Sequence, residues 1–333
     1  MQRKSLYDIS WKVTEPEYRA DPALSYSTLA KYERGGRFNS LPTLFDKVSS
    51  PSLTFGSIVD TLITGTEEDF QNNFIVISDP GISETLKEIA TTLYSLYKEQ
   101  YADFDQIPDE YLAQVGADCG YYSPDKYKEV RVKKIRESCK PYYHMLCAAE
   151  GKTVCTEEDI ADARACVEVL KNGPTGIYFK DNEPFGENNI EGFYQLKFKG
   201  TNPTNGQEFR CMADRLIVNH KEKWVMPIDL KTSSHLENEF FKSFTQWSYD
   251  EQARLYWRII RQNMDKDDYY KDFKLLDYRF IVVNRKSLTP LVWEFSKTQA
   301  VGEIQITTPS GFIYHMRDPY VIGEELKTYL DSP

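Results

Sequence analysis

Apolar and polar positions follow two different periods along this chain, and the change falls near residue 188. Before it the spacing is helical. Ser25-Tyr26-Ser27 precedes a periodic run through Leu29, Ala30 and Tyr32, which predicts a helix start, and Gly35-Gly36 predicts its end. A second helix is expected over 57–64, between Gly56 and Gly65. Residues 80–175 read as mostly helical. Within them Thr156-Glu157-Glu158-Asp159 has the form of a capped N-terminus with acidic groups at the positive end of the dipole. Ile160, Ala163, Cys166, Val167 and Leu170 continue that helix, and Gly173-Pro174 closes it. Its charges read as a solvated face.

After residue 188 the period shortens to two. Phe193, Gln195, Lys197 and Lys199 alternate with Tyr194, Leu196, Phe198 and Gly200, as on a strand with two unlike faces. Residues 201–207 read as a turn, 209–218 as a strand, 219–223 as a polar turn and 224–231 as a third strand. A helix is expected over 237–263, broken near 246–249, followed by strands at 275–283 and 291–295. Helices, strands, a helix and more strands predict a mixed α/β (α+β) fold with a central mixed sheet flanked by helices.

Two carboxylates meet in this pattern. If the turn centres near Lys221, facing residues have numbers that sum to about 442, and Asp214 falls opposite Ile228 or Asp229. Asp229 and Lys231 are two apart and share a face, while Ile228 and Leu230 are expected to face a core on the other side. Two unit charges about 4 Å apart repel by about 4 kcal/mol at an effective dielectric near 20. Lys231 offsets one of them, and a divalent cation would offset the other. Oxygen ligands favour Mg²⁺ or Mn²⁺. Such a cation binds a phosphate oxygen and acidifies a bound water, which the neighbouring lysine can orient, deprotonate or support by stabilising developing charge.

Composition limits the alternatives. With 333 residues, 41% hydrophobic and 28% charged, the chain can bury a sizeable core. No apolar run approaches the roughly 20 residues that cross a bilayer, and no apolar signal stretch follows the basic N-terminus. The expectation is a cytoplasmic protein without a membrane partner. The six cysteines form no C-x-x-C pair and read as reduced thiols, and the four histidines show no zinc spacing. A net charge of −10 argues against coating nucleic acid by bulk electrostatics, but not against local grip on phosphates. Lys197, Lys199, Arg210, Arg215, Lys242, Arg254 and Arg258 are candidates for such contacts. The 23 Tyr and 18 Phe read mainly as core, although exposed rings also stack on unpaired bases.

Asp214, then Asp229-Leu230-Lys231, then Gln252-x-x-x-Tyr256 resembles the RecB-type branch of the PD-(D/E)XK nucleases, which includes RecE-like, lambda exonuclease-like and CRISPR-associated RecB-like exonucleases. Ser25-Tyr26-Ser27-Thr28-Leu29 is similar to the branch's S-x-S-x-L helix, and Gly56-Ser57-Ile58-Val59-Asp60 to its G-S/T-x-x-H segment, with Asp60 in place of the metal-binding histidine. The likeness covers about residues 22–65 and 188–296.

The resemblance implies a restriction-endonuclease-like core within one domain over 1–333, with core segments 22–70 and 185–300, a helical insertion at 80–175 and a C-terminal extension at 297–333. It implies metal ligands at Asp214, Asp229 and the Leu230 carbonyl, a catalytic Lys231, and Gln252 and Tyr256 organising the site. Asp60 and Glu191 are further candidate ligands. No cysteine follows Cys211, so no iron–sulfur cluster is expected. The implied activity is hydrolysis of DNA phosphodiester bonds, foremost as an exonuclease at linear or single-stranded DNA ends in recombination or repair. The implied setting is a phage one, in the host cytoplasm, with a recombination or single-strand annealing protein as partner. Such nucleases include toroidal assemblies, so the resemblance allows a homo-oligomer. A non-catalytic DNA-end binding protein and a site-specific endonuclease of the same fold remain alternatives.

Overall fold

The computed structural model describes residues 3–45, 50–78, 81–149, 151–180, 189–308 and 310–331. Its contacts group into two compact units, one formed by 1–48 and 165–333 and the other by 49–164. Thus the sequence expectation of one domain with an insertion at 80–175 meets boundaries at 48/49 and 164/165.

The first unit opens with α1 (Glu15–Ala20), held at its start by a Thr14–Glu17 capping box. Strand β1 (Leu24–Ser25) leads into α2 (Tyr26–Arg34). The helix start predicted at the serines is present. Ser25 occupies the cap position, yet its hydroxyl bonds the Ser27 and Thr28 hydroxyls (2.9 and 3.1 Å) rather than a backbone amide. Gly35 ends the helix as expected.

In the second unit α3 (Pro51–Thr64) begins six residues earlier than the spacing around Gly56 predicts. Ser50 accepts from the Leu53 amide, and proline fits the first helical position because its missing N–H would have no partner there. Next come α4 (Glu67–Asn73), β2 (Phe74–Ile77), α5 (Glu84–Tyr97), α6 (Asp109–Asp118), α7 (Lys128–Ala148), β3 (Thr153–Thr156) and α8 (Glu157–Asn172), within which the 164/165 boundary falls. The Thr156–Asp159 box caps α8 through Asp159 N to Thr156 Oγ1 (3.1 Å) and Thr156 N to Asp159 Oδ2 (3.1 Å). Helices α5, α6 and α7 close over Ile89, Leu93, Leu112, Ile135 and Tyr143. The parallel β2–β3 pair was not anticipated.

The first unit, resumed from residue 165, continues with β4 (Ile190–Thr201), β5 (Glu208–Asn219) and β6 (Trp224–Ser233), followed by α9 (Phe240–Gln246) and α10 (Tyr249–Asp265). The last elements are β7 (Lys274–Leu275), β8 (Tyr278–Asn284), β9 (Leu291–Phe295), β10 (Ile304–Thr307), β11 (Ile313–Met316) and α11 (Pro319–Leu330). Among the described residues β1 and β4–β9 form a seven-stranded mixed sheet. Strand β4 pairs antiparallel along one edge of β5. The other edge of β5 changes partner, from β1 in parallel at Phe209 and Arg210 to β6 antiparallel from Arg215 onward. On the far side of β6 lies β8, parallel, and then β9, antiparallel.

One face of this sheet is covered by a core drawn from α2, α9, α10 and α11, including Leu29, Phe244, Ile259 and Leu326. Residues after 297, expected as an extension, belong to this core: Met316, Ile322 and Leu326 are buried in it. Gly323 permits the approach, since a Cβ there would meet the Phe209 ring at 2.5 Å.

Candidate functional site

The change of partner along β5 opens a fork. Pairing with β1 ends at Arg210 and pairing with β6 begins at Arg215, opposite Ile228. Asp214 and Asp229 are the next residues on the two arms. Their numbers sum to 443, within one of the value expected from the turn. Where two strands separate, amides lose their ladder partners and need others. Asp214 provides one, its Oδ2 accepting from the Leu230 amide at 2.9 Å.

The face on which this happens differs from expectation. Core residues on β5 run Phe209, Cys211, Ala213 and then Leu216, Val218, so the parity changes across Asp214. On β4 it changes between Phe193 and Leu196, where Gln195 has φ +52° and the Gln195–Asp214 pair drops out of the ladder. As a result Asp214 and Asp229 point toward α10 and the main core. Leu230, expected in a core, is only half-buried. Asp229 is 0% exposed, and such burial of a charge requires close partners.

Those partners are present. Gln252 Nε2 donates to Asp229 Oδ1 at 2.5 Å. Lys231 Nζ lies 2.5 Å from Asp229 Oδ2, an ion contact outside the geometry of a directed hydrogen bond, so that oxygen keeps bonding capacity. Burial raises the Asp229 pKa, while Lys231, Gln252 and a hydrogen bond with the Asp214 carboxyl hold it down. For Lys231, burial disfavours the ammonium, but Asp229, Tyr249 and Asp214 outweigh it and the pKa lies above the ordinary value. Lys231 Nζ also sits 4.7 Å from the centre of the Tyr249 ring. Tyr256 is buried and its pKa is raised, first by that burial and further by Tyr18, Cys211, Asp229 and Asp214. Its ring meets Tyr278 edge-on at 6.3 Å.

The fold therefore gathers Asp214, Asp229, Lys231, Gln252 and Tyr256. Tyr249 and Tyr278 join them without having been anticipated. Tyr249 precedes Gln252 by three positions, one helical turn, so α10 could have pointed to it. Tyr278 had no such signal. Glu191 is not gathered. It faces Val218, four residues along β5 from Asp214, or ~13 Å at strand rise. Its carboxylate is engaged by His220 Nε2 (3.1 Å), the Ser5 hydroxyl and the Leu6 amide (3.4 Å). Asp60 lies half-exposed on α3 of the second unit.

Most of the basic candidates have structural partners. Arg254 is 0% exposed and donates to the carbonyls of Ala300, Gly302 and Arg317. Arg258 pairs with Asp318 at 2.5 Å. Arg215 is buried against the carbonyls of Tyr178 and Lys180. Arg210 holds the carbonyls of Asp21 and Ala23, Lys199 pairs with Asp21 at 2.7 Å and Lys242 with Glu239 at 2.5 Å.

Among the described residues no group of three or more His, Cys, Asp or Glu converges. The two-carboxylate centre still suits a hard, oxygen-seeking cation: Asp214 and Asp229 are electrostatic neighbours across the fork, and Asp229 Oδ2 and Gln252 Oε1 are buried without hydrogen-bond partners.

No family model matches the chain, and no curated protein matches it. Among solved structures the chain aligns with the crystal structure of SSO0001 at 12% identity, over 84% of this chain and 87% of that one, with a TM-score of 0.25. A likeness at that level carries no argument.

Proposed function

We propose that the fork between β5 and β6 is the centre of an Mg²⁺- or Mn²⁺-dependent deoxyribonuclease that hydrolyses phosphodiester bonds. The observation that carries this reading is the convergence of Asp214, Asp229, Lys231 and Gln252 at one buried point where two strands part. Asp214, Asp229 and the Leu230 carbonyl would hold the cation. When bound, it would neutralise the paired carboxylates, draw charge from a phosphate oxygen and acidify a water.

The roles of the side chains follow from their environments. Gln252 fixes the Asp229 carboxylate through Oδ1, so that Oδ2, which faces Lys231, is the oxygen a cation would share. Lys231, with its raised pKa, stays an ammonium at neutral pH. That suits stabilising charge on a phosphate better than accepting a proton from water. Action at DNA ends in recombination or repair, with an annealing partner, is the more specific form of the proposal.

A second reading, a DNA-end binding protein without turnover, is favoured by one observation. Lys231 already offsets Asp229, and Asp214 is already bonded to the Leu230 amide, so the centre is compensated without a cation. A nuclease assay separates the readings. Linear end-labelled, closed circular and single-stranded DNA are compared with Mg²⁺, with Mn²⁺ and with neither. Metal-dependent loss of linear but not circular DNA is the expected result. Cutting of the circle would indicate an endonuclease. Binding without cutting in either metal would overturn the proposal in favour of the second reading.

A further inference from the structure

Trp247 is the exposed member of the five tryptophans, at 42%, while Trp11, Trp224, Trp257 and Trp293 are half-buried. It stands between α9 and α10. The next residue, Ser248, has φ +54°, a left-handed conformation that costs a non-glycine residue about 1 kcal/mol. The Ser248 amide donates to the Thr245 carbonyl at 3.4 Å, and its carbonyl accepts from the Glu251 amide at 3.0 Å. The turn leaves Trp247 at the surface while Tyr249 packs beside Lys231. Backbone strain held by specific bonds is a feature of functional sites.

Arg34, at the end of α2, lies over the indole with its guanidinium 4.6 Å from the ring centre. It is exposed, its Nε donates to the Ala30 carbonyl at 3.1 Å, and among the described residues it makes no ion pair. Tyr26, on the same helix, donates to the Trp247 carbonyl at 2.5 Å and has Tyr249, Arg34, Glu251 and Asp229 as electrostatic neighbours. The indole and guanidinium thus adjoin the carboxylate centre through Tyr26 and Tyr249.

We propose that Trp247 and Arg34 form a platform for a single nucleic-acid strand entering this centre, the indole stacking on a base and the guanidinium holding an adjacent phosphate. An exposed indole is sequence-tolerant because every base has a flat face. The terminal N–H groups of a guanidinium match phosphate geometry. The pairing explains how an acidic chain holds a polyanion locally while most of its other arginines near the sheet are committed to internal carbonyls and carboxylates. The platform rests on the reading of the centre as one that handles nucleic acid.

The test uses the full chain carrying Lys231→Ala, so that binding is read without cleavage. The probe is a fluorescein-labelled oligothymidylate of about twelve nucleotides, within the span of common single-strand sites, followed by anisotropy. Trp247→Ala is expected to weaken binding roughly tenfold, the scale of one lost base stack. Trp247→Phe should recover most of it. Arg34→Ala should weaken binding and reduce the salt slope by about 0.7, one phosphate contact. On the chain with Lys231 intact, Trp247→Ala should raise KM and leave kcat unchanged. No binding by the parent, or equal affinity in the parent and Trp247→Ala, overturns the platform. Binding that depends on Trp247 in a chain that cleaves nothing in Mg²⁺ or Mn²⁺ would keep the platform and refute the nuclease proposal.

Discussion

Gln252 holds Asp229 across 2.5 Å, from a helix to a strand that is 23 residues earlier in the chain. It is the donor that makes a fully buried carboxylate tolerable without using the second oxygen. Gln252→Ala removes a charge-assisted bond and leaves Asp229 Oδ1 unpaired, a loss of about 1.5–3 kcal/mol. Gln252→Glu should lose more at neutral pH, because a third carboxylate replaces the donor. Urea midpoints of the three proteins check this. Equal midpoints for parent and Gln252→Ala would show that Asp229 does not depend on the bond.

Lys231 lies 2.5 Å from Asp229 and has Asp214 as an electrostatic neighbour, and its removal tests the proposed chemistry directly. Lys231→Ala and Asp229→Ala should each lower metal-dependent turnover by roughly a thousand-fold, the scale of losing a preorganised electrostatic contact. The raised Lys231 pKa adds a pH signature. Its proton stays on until above the ordinary lysine value of ~10.4, so no loss of rate from Lys231 should appear as pH rises to about 9. A rate that instead rises with pH through an apparent pKa near neutrality, in a limb that Lys231→Arg lacks, would assign Lys231 as a base.

The meeting of Asp214 with Asp229 was legible because a hairpin fixes register by arithmetic, and the i to i+4 spacing of Gln252 and Tyr256 placed both on one helix face. The face they occupy was not legible. It depends on the parity change opposite Gln195, a non-glycine residue with positive φ that carries no sequence marker. The early start of α3 had a marker in Ser50-Pro51, but Gly56 drew attention away from it. The commitment of Arg254 to carbonyls 46 to 63 residues away is a tertiary contact with no local trace.

Glu191 forms a buried pair with His220 rather than part of the carboxylate centre. Glu191→Gln should therefore leave the Mn²⁺ dependence of any activity unchanged. It should cost about 1–3 kcal/mol of stability through the weakened bonds to Ser5, Leu6 and His220. Metal titration of activity beside urea unfolding separates the two effects. A shifted Mn²⁺ midpoint with unchanged stability would return Glu191 to the metal site.

Arg254 ties α10 to the segment that precedes α11. Its guanidinium serves three carbonyls and lies 3.7 Å from Asp318. Arg254→Met strands those acceptors and is expected to destabilise the first unit by about 3–5 kcal/mol. Arg254→Lys should rescue little, since a single ammonium cannot span the same acceptors. Limited proteolysis should show earlier cutting within 297–331 in both variants. Full stability in Arg254→Met, with weakened DNA binding, would mean that the residue serves the ligand instead.

Asp250 gives the molecule a pH dependence of unusual sign. It is buried at the start of α10, with Oδ1 accepting from the Tyr314 hydroxyl at 2.6 Å and Oδ2 without a hydrogen-bond partner. Burial raises its pKa from 3.8 to about 6, against the pull of Tyr314 and Arg254. The folded state thus binds this proton more tightly than the unfolded chain. The contribution to stability is present in full below the unfolded value of 3.8 and is lost as pH rises through about 6. Its size is of the order of 2–3 kcal/mol. Glu251 beside it is also raised, first by burial and then by Asp250, and adds a slope of the same sign. Unfolding free energy measured between about pH 4 and pH 7 should fall across this window in the parent and fall less in Asp250→Asn, whose amide oxygen still accepts from Tyr314. Identical slopes in the two proteins would show that Asp250 is ionised throughout, and that its unpaired oxygen has a cationic or solvent partner in solution.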